Sequence, residues 1–249
     1  MAAPGPLALV GSGEYLPEMG EVEGALLSAG AAAVAAPGPH PRYVQLATAA
    51  VPDGPAVVAR WHALGAEAAA RLGAQQVVLD VADAAGANDP AVAALVEGAA
   101  LVYLSGGKPS FLAEVLRDSL VWAAIVDAWR AGAALAGCSA GAMVMAAHVP
   151  SFRHPRGGAG TPGLALLPHL RVLPHFDAFL GRMPAAAQRA LASGDAPGVS
   201  VVGVDELTAI VGGPDRWEVR GRGSAWVLNA DGGRHQVPAG GVLDTPLAG

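Results

Sequence analysis

Short apolar runs, each closed by glycine or another turn residue and spaced by stretches of helical character, constrain this chain more than any other feature. Leu7-Ala8-Leu9-Val10 is the first, and it opens into Gly11-Ser12-Gly13-Glu14. Runs at 43–48, 76–81, 100–104, 133–137, 170–173 and 199–204 follow. Between them, residues 56–72, with Trp61 and Leu64 on one face, 91–98, 111–116 and 185–192 read as helices. Strands that are apolar throughout, rather than every second residue, are covered on both faces. The pattern predicts an α/β fold: a mostly parallel sheet flanked by helices on both faces. Short β segments at 208–211, 216–219 and 225–228, separated by Gly, Pro and Asp, add a β-hairpin-rich C-terminal tail. No composition break, linker or repeat divides the 249 residues, so a single domain over 1–249 is expected.

Composition narrows the function. Hydrophobic residues make up 53% and charged residues 14%, so a large core can be buried, while 34 glycines and an aromatic share of 5% require close packing through small side chains. A net charge of -6, with Lys108 the single lysine, argues against a nucleic-acid partner or an anionic membrane surface, which need clustered cations. The lone Cys138 rules out an internal disulfide and a multi-cysteine zinc site, and fits a reducing compartment. The start, MAAPGPLALVGSG, lacks the basic residue of a secretory signal. The uncharged run 131–147 is interrupted by glycines and Ser139 and has no basic flank, so it reads as a buried strand and helix, and a cytoplasmic location is expected.

That run contains Gly137-Cys138-Ser139-Ala140-Gly141, a G-x-S-x-G between a strand and helix-compatible sequence. In this setting the pattern has a mechanical meaning. The turn residue is strained, its hydroxyl is lifted from the sheet, and the glycines let strand and helix pass closely. Ser139 is the candidate nucleophile, and the Ala140 amide, at a helix start, suits an oxyanion. The run 100–104 ends in Ser105-Gly106-Gly107-Lys108-Pro109. If that strand lies beside the Ser139 strand, Gly106 or Gly107 supplies a second oxyanion donor; otherwise the glycines serve only the turn.

Seven histidines are available, and His175 alone directly follows an apolar strand, 170–173. Carboxyl ends of parallel strands converge on one rim, which brings His175 towards Ser139 as a general base. By the same argument Asp205-Glu206, at the end of 199–204, offers a carboxylate to orient the imidazole. Adjacent residues on an extended segment face opposite ways, so only one can serve, and spacing does not choose between them. The order serine, histidine, acid differs from that of α/β-hydrolases. The early Gly-Ser-Gly-Glu loop lacks the rest of a dinucleotide fingerprint.

Taken together, VGSGE, SGGKPSFL, GCSAGA, LPHF and GVDELTAIV, in that order over residues 7–211, resemble the aspartyl dipeptidase (peptidase E) and cyanophycinase family of serine peptidases. The resemblance implies a class I glutamine amidotransferase-like, flavodoxin-like fold. It implies Ser139 as nucleophile, His175 as base and Glu206 as acid, with oxyanion donors at Gly107 and Ala140, Gly106 being the other donor the turn offers. Lys108 stands where the family more often has a polar uncharged residue, and it either binds substrate or only caps the turn. The implied reaction is hydrolysis of a peptide bond adjacent to an aspartyl residue in a small peptide, without metal or cofactor. The partner is then the peptide, and a homodimer is compatible with the sequence. Leu173-Pro174 before His175, and only Arg182 and Arg189 soon after it, favour the dipeptidase branch over an Asp-Arg polymer substrate. Arg153, Arg156, Arg171 and Arg182 are open as the cation for a substrate carboxylate. Two other readings stand beside this one. An inactive binding or regulatory protein could hold a small acidic metabolite in the same pocket. A cysteine-dependent amidotransferase would use Cys138, although the register of G-x-S-x-G favours Ser139.

Overall fold

The apolar runs become strands that dock side by side. The computed structural model describes residues 3–34, 38–149, 160–178, 198–229 and 233–245. At its centre β1 (Leu7–Val10) pairs with β5 (Ala134–Cys138), and β4 (Ala99–Leu104), β2 (Arg42–Leu46) and β3 (Gln75–Leu79) continue outward, all parallel. On the other side of β1, β10 (Thr208–Gly212), β11 (Arg216–Gly221) and β14 (Val242–Asp244) run antiparallel and complete an eight-stranded sheet. The mostly parallel sheet and its antiparallel extension are as the sequence predicts.

Alternation along the central strands sorts the core into two layers. Ala8 and Val10 of β1, with Ala134, Ala136 and Cys138 of β5, face α1 (Gly20–Ala31) and α2 (Pro55–Arg71), meeting Leu26, Leu27, Ala68 and Ala69. Leu7, Leu9 and Leu135 face the opposite layer, where α5 (Pro109–Leu116) and α6 (Leu120–Arg130) bring Leu112, Leu116, Trp122 and Ile125. Short helices α3 (Ala84–Ala87), α4 (Pro90–Ala94) and α7 (Ala140–Met143) complete the set, and the helix expected over 91–98 ends early in turns. Asp83, Asp89 and Ser119 cap α3, α4 and α6 by accepting first-turn amides.

The second half departs from a single sheet. β8 (Leu170–Leu173) and β9 (Ser200–Val204) are parallel to each other, but with β12 (Ser224–Leu228) and β13 (Arg234–Pro238) they form a separate four-stranded sheet in the order β13-β12-β9-β8. Val172, Val202 and Val204 point into the α5/α6 core layer, while Leu173 and Val201 join Phe176 and Leu228 in a cluster of their own. Both faces of these strands are therefore buried without any need to extend the main sheet. Within 150–168, a stretch whose dense glycine and proline read as a surface loop, Thr161–Pro162 (β7) pairs with His148–Val149 (β6). Residues 150–159, the helix expected over 185–192, and Arg153, Arg156, Arg182 and Arg189 lie outside the described residues. Among the described residues, no helix is long and apolar enough to cross a membrane.

One buried acid makes the fold sensitive to pH. Glu23 of α1 is 1% exposed and accepts the Tyr15 amide at 2.7 Å and the Tyr43 hydroxyl at 3.4 Å. Burial pushes its carboxyl up to about 7, against the opposing pull of those hydrogen bonds and of Arg71. A carboxyl that holds its proton more tightly folded than unfolded stabilises the fold at low pH and loses that contribution as pH rises towards its folded value. Stability is expected to fall by on the order of 3 kcal/mol between about pH 4.5 and pH 7 from this group. Thermal melts across that range should show the slope in the wild type and a flattened profile in Glu23→Gln.

Candidate active site

The serine turn is shaped by the glycines around it. β5 ends at Cys138, Ser139 adopts φ 49° and ψ -107°, and α7 begins at once. This is a left-handed position held by a residue with a side chain, the strain expected of a nucleophile elbow. A Cβ on Gly137 would lie 2.4 Å from the Gly141 backbone, and one on Gly141 would lie 2.3 Å from the Leu104 carbonyl oxygen. Strand, helix and the neighbouring strand β4 can thus meet only at glycine. The Ser139 amide donates to the Val10 carbonyl at 2.9 Å, which fixes the turn against β1.

His175 arrives from the second sheet. It follows β8 with φ 52°, and the next residue anchors it: the Phe176 amide donates to the Val204 carbonyl at 3.0 Å, and the Phe176 ring is buried beside Trp226, centroids 5.7 Å apart. The His175 Nε2 lies 3.1 Å from the Ser139 hydroxyl and its Nδ1 lies 3.1 Å from Glu206 Oε1. With Nδ1–H donating to the carboxylate, Nε2 is left as the acceptor for the serine proton; this tautomer is assigned from the hydrogen bonds. His175 and Glu206 are about half exposed, so the pair is open to solvent. Glu206 sits where the chain passes from β9 of one sheet to β10 of the other, and β10 lies against β1, next to the serine strand. That crossing brings acid and imidazole to the serine although they do not share its sheet.

The neighbouring carboxylates separate cleanly. Asp205 turns inward, accepting the Ser224 amide and the Trp226 indole N–H, each at 2.9 Å, and burial raises its carboxyl above the usual range. Glu206, one residue on, faces His175. Asp177, two residues after His175, accepts the Glu206 amide at 2.9 Å and ties the histidine turn to the acid turn. Cys138 is fully buried and donates its thiol to Glu14 Oε2 at 2.7 Å; burial, reinforced by the Glu14 charge, holds the thiol well above its ordinary pKa. A protonated, buried thiol is not a nucleophile.

The turn after β4 differs from expectation at two points. The Gly106 amide, one of the two candidate oxyanion donors, donates instead to Glu14 Oε1 at 2.9 Å. Gly107, at φ 142°, is pressed so closely on Ala49 that a Cβ would lie 2.2 Å from its carbonyl oxygen. Neither the Gly107 amide nor the Ala140 amide has an acceptor among the described residues. Lys108 pairs its ammonium with Asp53 at 3.0 Å, so in this structure the cation beside the turn is already matched. Arg171, also considered for a substrate carboxylate, is buried in β8. Glu14 and Asp177 were not singled out by sequence reasoning; the signals were an acid closing the first glycine loop and an acid two residues beyond the histidine. Among the described residues no cluster of His, Cys, Asp or Glu is arranged to hold a metal ion.

Residues 51–218 match the model of peptidase family S51, a span that holds the serine, the histidine and the acid. The chain belongs to peptidase family S51. Within that family it is 34% identical over 171 residues to cyanophycinases from Trichormus variabilis and a Nostoc species, an alignment covering 64% of this chain and 55% of theirs. The chain thus spans about half the length of these curated relatives. Among solved structures it resembles a peptidase from an acI-B1 Actinobacterium, with a TM-score of 0.85, 38% identity and 97% of both chains covered. A putative peptidase E protein from Listeria monocytogenes shares the fold at a TM-score of 0.58 and 16% identity, over 88% of this chain and 99% of that one. The S51 assignment accords with the mixed sheet and its flanking helices.

Proposed function

We propose that this S51 member is a serine peptidase that hydrolyses the peptide bond adjacent to an aspartyl residue in a small peptide. The observation that carries the reading is the line Ser139–His175–Glu206, with 3.1 Å at each step and a strained serine at its head. Ser139 attacks the scissile carbonyl while His175 Nε2 takes its proton and later delivers it to the leaving amine. Glu206 holds the imidazole and stabilises it when charged. The amides of Gly107 and Ala140 donate to the developing oxyanion, while the Gly106 amide, given to Glu14, only shapes the same turn. Lys108 exchanges Asp53 for a carboxylate of the substrate. No step needs a metal or a cofactor.

A fluorophosphonate probe and a dipeptide library test the reading together. The probe is expected to label Ser139, and Asp-Xaa dipeptides are expected to be cleaved ahead of the rest of the library. Folded wild-type protein that neither labels nor cleaves would support the acidic-metabolite binder instead. Labelling without a preference for aspartyl peptides would keep the hydrolase and remove the substrate.

A further inference from the structure

We propose that Glu14 is a positioning residue that holds the oxyanion turn in register with the serine elbow; the inference rests on the hydrolase reading above. Glu14 follows β1, Gly106 follows β4 and Cys138 ends β5, and in the sheet β5 lies between the other two. One side chain therefore reaches across the serine strand from one neighbour to the other. Its Oε1 accepts the Gly106 amide at 2.9 Å and its Oε2 accepts the Cys138 thiol at 2.7 Å, and the residue is 6% exposed.

The turn is gripped on both sides of the amide that matters. Before Gly107, the Glu14 bond fixes the peptide plane of Gly106; after it, the Lys108 amide donates to the Ala49 carbonyl at 2.7 Å. Gly106 in turn sits beside the nucleophile, where a Cβ would lie 3.4 Å from the Ser139 Cβ. Without Glu14, Gly106 would retain a buried amide with no acceptor, and the peptide would rotate to find one. The Gly107 donor would move with it. An oxyanion donor acts only on the charge that develops in the transition state, so its displacement lowers kcat and leaves KM nearly unchanged.

Two variants separate reach from charge. Glu14→Gln keeps an oxygen at the right distance for the Gly106 amide and loses the charge; Glu14→Asp keeps the charge and shortens the reach by one methylene. Positioning predicts that Glu14→Gln retains most of the rate at which a fluorophosphonate labels Ser139, and that Glu14→Asp is slower by roughly 100-fold, the scale of a lost oxyanion donor. Dipeptide turnover should show the same ratio in kcat with KM steady. Equal rates in the two variants, or the reverse order, would overturn the proposal. Amide hydrogen exchange at Gly106, followed in the same proteins, is independent of activity: faster exchange in Glu14→Asp but not in Glu14→Gln is expected, and unchanged protection in both refutes the clamp. A wild type that fails to label would dispose of the hydrolase reading, while the exchange comparison would still decide whether Glu14 holds the turn.

Discussion

Ser139→Ala is expected to lower kcat/KM on an Asp-Xaa dipeptide by roughly a million-fold while leaving the fold intact. The size follows from the proposed division of labour. Without the hydroxyl there is no covalent step, and what survives is the small rate that water achieves beside the oxyanion amides. The fold should tolerate the change because the side chain's described partner is His175 alone, and alanine suits the left-handed turn no worse than serine does. A melting temperature close to wild type, measured on the same preparation, makes the activity loss interpretable. Glu206→Gln should lose less, roughly ten-thousand-fold, since the imidazole keeps its place beside the serine and loses only its orienting charge. Turnover by Ser139→Ala within tenfold of wild type would remove Ser139 as the nucleophile.

Gly141→Ala is expected to be the most damaging small substitution around the elbow, through stability rather than chemistry. The added methyl would lie 2.3 Å from the Leu104 carbonyl oxygen and 2.9 Å from its carbonyl carbon. Neither is the free end of a flexible side chain; both belong to β4, held between β5 and β2. Relief therefore requires α7 to lift, and Ser139 moves with it. A loss of at least about 3 kcal/mol is expected, at the upper end for overpacked sites. In a chain of this length that corresponds to a melting temperature lower by about 6–12 °C, read by thermal denaturation. A variant melting within about 2 °C of wild type would show that the elbow yields more easily than backbone contacts of this kind allow.

Much of the fold is legible because the central strands are apolar on both faces, which calls for a sheet covered on both sides. The elbow is legible because strand, glycine, serine and glycine in sequence leave few alternatives. His175 is legible as the histidine at a strand end. The acid is legible only as a pair. Alternation correctly says that Asp205 and Glu206 face apart, but it takes Ser224 and Trp226, drawn in from β12, to claim Asp205. What spacing cannot convey is which sheet a strand joins. β8 and β9 read as buried runs just as β4 does, yet they join a separate sheet, because burial on both faces is achieved either way. The helices Gly20–Ala31 and Leu120–Arg130 carry faint signatures for different reasons. The first is diluted by Gly24 and by Gly30, the latter lying against β4 and β5; the second is apolar nearly all round, and Ser119 is its main start signal. Glu14 is hidden because a glycine loop at a strand end ordinarily announces an external ligand, whereas here the carboxylate closing that loop is used internally.

The passage of the chain through Asp205, Glu206 and Leu207 from one sheet to the other has a consequence for the order of events during synthesis. On the proposed roles, the serine leaves the ribosome well before the histidine, and the acid comes last. A chain cut short before His175 would hold the serine without base or acid. On those roles, hydrolytic competence waits until the turns that end β8 and β9 meet the elbow.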